Sequence, residues 1–239
     1  MIYVVGIGPG NKEYMTLEAI EAIKDSDVIV GYKTYVDLIE DMIDGKEVIK
    51  NGMRQEIDRC KKAIEISKTG KKVALISGGD SGVYGMAGLV EELNKDENEE
   101  IRIIAGVTSS ISAAAVLGAP LMNDFCHISL SDLMTPWDVI EKRLKLASEA
   151  DFVIAIYNPK SMGRPNHLSK AFEIMGEFKS KDTPVGIVKN AGRINEEVYI
   201  CRFGDMNFDI CDMSTMIIVG NKETYINNDR IITPRGYRL

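Results

Sequence analysis

Apolar residues in the first half of the chain fall in short solid runs, each followed by glycine or a polar turn. "IYVVG" (2–6), "DVIVG" (27–31), "KVALIS" (72–77) and "IRIIAG" (101–106) have the length and β-branched content of buried strands. Between them the spacing turns helical. Residues 16–24 place Leu17, Ile20 and Ile23 on one face behind Thr16 as N-cap, and 54–67 and 83–94 also read as helices. Cys60 falls on one helical face with Ile57 and Ile64. Strands alternating with helices predict a mainly parallel sheet covered on both faces.

"GAP" (118–120) is the strongest internal punctuation and divides the chain into an expected N-terminal α/β domain, 1–120, and a C-terminal α/β domain, 121–239. The second half opens with "CHISLS" (126–131), a helix over 138–148 with Val139, Ile140, Leu144 and Ala147 inward, and "FVIAIY" (152–157). A helix over about 168–178 follows. "PVGIVKN", "EEVYICRF" and "TMIIVG" then leave little room for helices, which predicts antiparallel pairing and a mixed sheet. The sequence has no internal repeat and no low-complexity tract, and "NKDENEE" (94–100) reads as a solvated loop.

Composition narrows the function classes. The chain has 239 residues, 45% of them hydrophobic and 27% charged, and a net charge of −7, which argues against non-specific nucleic-acid binding. Four cysteines show no paired spacing with each other or with the two histidines, so neither a metal site nor a disulfide framework is expected. No run approaches the roughly 18 apolar residues of a membrane span, and the first strand leaves no room for a signal peptide. The expectation is a soluble cytoplasmic protein with reduced thiols.

Three loops carry the candidate chemistry. "GIGPG" (6–10) follows the first strand but departs from the dinucleotide fingerprint. Asn11 stands where a third glycine would, and the second strand ends at Gly31 rather than at an acid. In "SGGDSGVYG", Gly78 and Gly79 leave space and Asp80 offers acceptor oxygens to ribose hydroxyls or an ammonium group. The plain alternative is that Asp80 caps the helix expected near Gly82. "GVTSSISAAA" (106–115) adds hydroxyls and amides at another helix start, where Thr108 could equally serve as a cap. Together the loops suit a small ligand with ribose, amine and carboxylate groups. In the second half, "YNPKSMGR" and "VKNAGR" gather Lys160, Arg164, Lys189 and Arg193 on loops after strands. That suits a polyanionic substrate, or else they are ordinary surface charges. His127 and His167 stand alone, and His127 reads as a structural histidine in a strand.

"YVVGIGPG", "ISGGDSGVYGMA" and "AGVTSSISAAAVLGAP", in this order, resemble the tetrapyrrole methylase superfamily. "VGYKTYVDLI", "NDFCHISLSDLMTPW", "IYNPKSMGR" and "RIITPRGY" are similar to its precorrin-3B / cobalt-precorrin-3 C17-methyltransferase branch. One departure is Asn123, where the branch usually has histidine before "DFC".

The resemblance implies a two-domain homodimer that binds S-adenosylmethionine, releases S-adenosylhomocysteine, and holds both in the cleft between domains. Carried over by motif, the cofactor would meet Pro9, Asp80, Val83, Thr108 and Ser109, with Tyr157, Val188, Thr215 and Met216 from the second domain. The substrate would be a tetrapyrrole rich in carboxylates, met by Lys33, Arg54, Lys160, Arg164, Lys189 and Arg193. Its C17 is methylated and the ring contracts, with cobalt present only as part of the substrate. Asp124, His127 and Asp132 are the candidates for moving protons. Methyl transfer from a sulfonium needs no nucleophilic side chain, only orientation, which can supply about 7–11 kcal/mol. The competing readings are a methylase acting at another tetrapyrrole position, a non-catalytic tetrapyrrole carrier, and a nicotinamide oxidoreductase that the missing acid disfavours.

Overall fold

The computed structural model describes residues 1–238 and divides into two compact units, Met1–Ser109 and Ser110–Leu239. The first unit runs β1 (Ile2–Gly6), α1 (Leu17–Asp25), β2 (Val28–Tyr32), α2 (Lys33–Asp37), β3 (Glu47–Asn51), α3 (Glu56–Ser67), β4 (Val73–Ser77), α4 (Ala87–Asn94) and β5 (Ile101–Ile104). Its five strands pair in the order β3-β2-β4-β1-β5, and every pairing is parallel. Parallel strands need crossovers, and α1, α3 and α4 supply them. Two apolar layers result. Tyr3, Val5, Ile7, Ile29 and Ile76 pack with Ala19, Ile23 and Val36 on one face. Ile2, Val4, Val30 and Leu75 pack with Cys60, Ile64 and Val90 on the other.

Three sequence expectations shift. In α1 the inward positions are Ala19, Ala22 and Ile23, while Leu17, the first residue of the helix, is exposed. Ile57 in α3 is likewise exposed, in its first turn, although Cys60 and Ile64 are buried as expected. The helix expected from 83 begins at Ala87. Residues 81–86 form bends, with Tyr84 at φ 53°, and a Cβ on Gly85 would lie 2.4 Å from the Ser81 carbonyl. Thr16 caps α1 as expected, accepting from the Ala19 amide at 3.1 Å, and its hydroxyl also donates to the Ala105 carbonyl.

The second unit comprises α5 (Ser109–Leu117), β6 (Gly118–Ala119), β7 (Phe125–Ser129), α6 (Trp137–Glu149), β8 (Val153–Tyr157), α7 (His167–Met175), β9 (Pro184–Lys189), β10 (Glu197–Arg202), β11 (Thr215–Val219), β12 (Tyr225–Asn227) and β13 (Arg230–Ile232). Its main sheet has the order β10-β9-β11-β8-β7. β7 and β8 are parallel and the other pairings antiparallel, so the mixed sheet read from the sequence is present. Its core joins Ile140 and Leu144 of α6 with Leu168, Phe172 and Met175 of α7 over Ile154, Ile156, Ile187 and Ile217. The units divide one helix before Gly118–Pro120. Gly118–Ala119 lies inside the second unit, held as a strand against Ile231 and Ile232. Among the described residues no helix is long and apolar enough to cross a membrane.

At the carboxyl end of the first sheet, three loops meet backbone to backbone. The Gly8 amide donates to the Gly79 carbonyl at 3.0 Å and the Gly79 amide returns a bond to Gly8 at 2.8 Å. A Cβ on Gly106 would lie 2.3 Å from the Gly79 oxygen and 2.6 Å from the Gly6 oxygen. Neither neighbour is a side chain that could swing away. Gly106→Ala is therefore expected to destabilise the protein by about 1–3 kcal/mol or more. Thermal denaturation should show a fall of about 2–4 °C per kcal/mol for a chain of this size.

Candidate active site

The carboxyl edge of the parallel sheet gathers Pro9, Asp80, Val83, Thr108 and Ser109. Asp80 is the hub of these loops. Its Oδ1 accepts from the amides of Gly82 (2.8 Å) and Val83 (3.1 Å), and its Oδ2 accepts from the amide of Gly106 (2.9 Å). A carboxylate has about four lone-pair sites, so three backbone amides leave capacity for one further donor. The capping alternative read from the sequence is thus present, displaced onto a loop that precedes α4. The space expected at Gly78 is occupied, because the ring of Tyr35 from α2 lies 2.6 Å from where a Cβ would be. Gly79 differs. Its Cβ position has only ordinary contacts with Thr108 Cα and Ser109 N, at 3.7 and 3.8 Å.

In the second unit the four remaining cofactor candidates cluster. β11 runs against β9, so it begins where β8 and β9 end, with Thr215 opposite Lys189 and Met216 opposite Val188. Tyr157 closes β8 at this edge, and its hydroxyl accepts from the Ser110 amide at 3.3 Å. All four are buried.

The cationic candidates divide into two kinds. Lys33 and Arg54 are exposed in the first unit and make no ion pair among the described residues, with Arg54 held at φ 64°. Those of the second unit are engaged. Lys160 donates to the Phe208 carbonyl (3.2 Å) near Asp209, and Lys189 lies 3.3 Å from Asp212. Arg164 donates to Ser161 Oγ (3.1 Å) and the Leu130 carbonyl (3.3 Å), 3.9 Å from Asp132. Arg193 is half-buried on the loop after β9.

The three proton-handling candidates are not brought together. Asp124 precedes β7 and Asp132 follows it, so a five-residue strand, about 17 Å at ~3.3 Å per residue, separates them. His127 lies within β7, its Nε2 sharing a hydrogen bond with Ser110 Oγ at 2.8 Å and its ring 5.1 Å from that of Tyr157. Burial pushes its pKa down, favouring the neutral imidazole. Asp132 instead meets His167, whose Nε2 donates to Oδ2 at 2.9 Å while its ring packs edge-on against Trp137 at 4.6 Å. The sequence reading missed this pair. The two residues are far apart in the chain, and only the parallel alignment of β7 and β8 juxtaposes the loop after one with the helix after the other.

The four cysteines are free. Burial pushes the thiols of Cys60 to about 12 and of Cys126 and Cys211 to about 11, so these are poor nucleophiles. Among the described residues, no three His, Cys, Asp or Glu side chains converge as metal ligands.

The first unit thus carries a Gly-rich parallel edge organised around one carboxylate, and the second a mixed sheet whose loops carry cations. The family model described as tetrapyrrole (corrin/porphyrin) methylases matches residues 1–207, and the chain belongs to that family. It is 56% identical over 241 residues, covering 100% of both chains, to a protein of Salmonella typhimurium named a probable cobalt-factor III C(17)-methyltransferase. It is 41% identical over 246 residues, covering 99% of this chain and 96% of the other, to a Sinorhizobium precorrin-3B C(17)-methyltransferase. A crystal structure of the methyltransferase CobJ superposes with a TM-score of 0.93 at 34% identity, over 98% of this chain and 99% of that one. Within the family the chain stands on the C17-methyltransferase branch.

The hydrogen bond from His167 is the largest influence holding the Asp132 carboxyl below the usual carboxylate range, and the Arg164 charge adds to it. In His167→Gln that pKa is expected to rise, measured by carbon NMR of the labelled side chain. An unchanged titration would mean that the pair does not persist in solution. Because the folded pKa is depressed, the pair's contribution to stability is present above the unfolded pKa. It is lost as pH falls through the folded value.

Proposed function

We propose that this protein methylates C17 of a cobalt-factor III or precorrin-3B type macrocycle, with S-adenosylmethionine as donor, and contracts the ring in the same active site. The observation that carries the reading is Asp80 joining its own loop after β4 to the loop after β5, while the Gly8–Gly79 backbone pair ties in the loop after β1. The greater identity to the relative named for cobalt-factor III favours the cobalt-bound substrate.

The donor set suits the cofactor. One carboxylate and the Thr108 and Ser109 hydroxyls can receive ribose and ammonium groups without placing a second formal charge beside them. Tyr157, Val188, Thr215 and Met216 would receive the apolar parts of the ligand. When bound, S-adenosylmethionine supplies a methyl group already activated on a sulfonium. The protein's task is then orientation: the rigid loop knot holds the donor side, and the loops after β8 and β9 hold the macrocycle through its carboxylates.

Ring contraction needs protons moved near the macrocycle. A neutral His127 can accept one at a ring nitrogen, and the ionised Asp132, which accepts from His167 Nε2, can orient that imidazole. Asp124, at the opposite end of β7, is left out of this reading. Dimeric assembly accompanies the proposal as the family resemblance implies it, and a cytoplasmic setting as the composition suggests it.

The deciding experiment is anaerobic incubation with S-adenosylmethionine and cobalt-factor III, with precorrin-3B in parallel, read by mass spectrometry and absorbance. The expected product is heavier by one methylene and has the spectrum of a contracted ring. Methylation of neither substrate, together with no affinity for S-adenosylhomocysteine, would overturn the reading. Asp80→Ala is expected to weaken S-adenosylhomocysteine binding at least about tenfold, the order of a lost charge-assisted hydrogen bond. Its thermal midpoint should fall only by the few degrees that a lost cap costs. Unchanged affinity would assign Asp80 to loop architecture alone.

A further inference from the structure

Arg59, in the first turn of α3, is only 3% exposed, yet no carboxylate meets it. Its Nη2 donates to the Gly52 carbonyl at 3.1 Å, its Nη1 reaches the Met86 thioether at 3.6 Å, and its guanidinium lies over the Tyr32 ring at 5.9 Å. Its Nε has no partner. A guanidinium carries five N–H donors, so most of its capacity is unused. Glu56 and Asp58, on the same turn of helix, are exposed and form no ion pair with it.

The contrast within the chain is direct. Lys179, the other buried cation, has Asp151 at 3.3 Å and the Phe152 carbonyl at 2.8 Å. A buried charge is normally paired, because its desolvation cost otherwise goes uncompensated. Among the described residues, no carboxylate compensates Arg59.

A second orphan adjoins it in the chain. Asn51 Oδ1 is buried without a partner, one residue before the glycine whose carbonyl Arg59 holds. A half-turn of that amide exchanges its oxygen for an NH2 donor. Asn51 ends β3, Tyr32 ends β2, and Met86 precedes α4, so the cluster lies at the carboxyl edge of the sheet that also carries Asp80. Lys33 and Arg54 are exposed on this edge, adding positive charge that draws an anion toward it.

We infer that Arg59 and Asn51 form a carboxylate subsite. The incoming carboxylate takes the guanidinium donors at Nε and Nη2, displacing the Gly52 carbonyl, which the exposed 52–55 turn can give up to water. This rests on the proposed function, which brings two sources of that chemistry: the acetate and propionate groups of the macrocycle, and the carboxylate of the methyl donor.

The test uses the full chain as wild type, Arg59→Met and Arg59→Lys. Three readouts apply: thermal midpoint, S-adenosylhomocysteine affinity by calorimetry, and cobalt-factor III affinity by absorbance titration without methyl donor. Wild-type binding of the macrocycle checks the function itself, independently of the variants. With Arg59→Met, the apolar replacement removes an unpaired buried charge, so the thermal midpoint should hold or rise. One ligand should meanwhile bind about tenfold or more weakly, the scale of a truncated buried charge pair. If the macrocycle is the one weakened, its side chains fill the subsite. If S-adenosylhomocysteine is, the donor's carboxylate does. Arg59→Lys keeps the charge without the fork and should fall between; it carries the test if the methionine variant does not fold. A lowered midpoint with both affinities unchanged would overturn the inference and leave Arg59 as a clamp on the 52–55 turn.

Discussion

The backbone contact among Gly6, Gly79 and Gly106 is the constraint on which the candidate site depends. Two peptide oxygens lie closer to the Cβ position of Gly106 than any side chain could tolerate. The loops after β1, β4 and β5 are therefore fixed against one another before any ligand arrives. Asp80 completes the knot, because three amides that would otherwise face water or a ligand are satisfied by one carboxylate. Hydrogen bonds to a charged acceptor are the stronger kind. Glycine supplies closeness here and aspartate supplies cohesion. Preorganisation of this type is what a transfer limited by orientation requires.

The second unit solves a different problem. Cations gathered on neighbouring loops repel one another unless each has a local counter-charge. Lys160 with Asp209, Lys189 with Asp212, and Arg164 with Asp132 keep each cation neutralised and pointed. Partly exposed ion pairs of this kind contribute little to stability. The Lys189 ammonium is held firmly charged by its hydrogen bond to Asp212, which keeps it available as a cation across the neutral range. Asp132 lies between two partners, Arg164 at 3.9 Å and His167 at 2.9 Å, so one carboxylate serves two loops.

Much of this was legible in the sequence. The solid apolar runs gave the parallel strands, and the shrinking helical gaps after Pro184 gave the switch to antiparallel pairing. Thr16 was legible as a cap because its hydroxyl precedes an apolar period. What escaped has physical reasons. β3 (Glu47–Asn51) is an edge strand whose charges alternate around only two apolar residues, so no buried run marks it. The hairpin of β12 and β13 turns on Asn228 and Asp229 at positive φ, a turn signal short enough to pass as loop. Gly78 was read as room for a ligand, but it is room for Tyr35, since glycine patterns do not say what fills the space. Neither histidine's partner is near it in the chain: Ser110 reaches His127 from α5, and Asp132 reaches His167 through the pairing of β7 with β8.

The two buried cations show what sequence cannot express at all. Lys179 and Arg59 are each one basic letter in a helical or post-helical stretch, and nothing in their neighbours separates them. Folding does. Burial pushes the Lys179 pKa down, while Asp151, brought in from the end of α6, pushes it back up, and the net arrangement is a structural ion pair beneath the sheet. Arg59 receives a carbonyl, a thioether and an aromatic face, none of which neutralises it. The unmet demand for an anion is therefore a property of the folded first unit. It is the physical reason to look for a ligand carboxylate at the end of β3 as well as around Asp80.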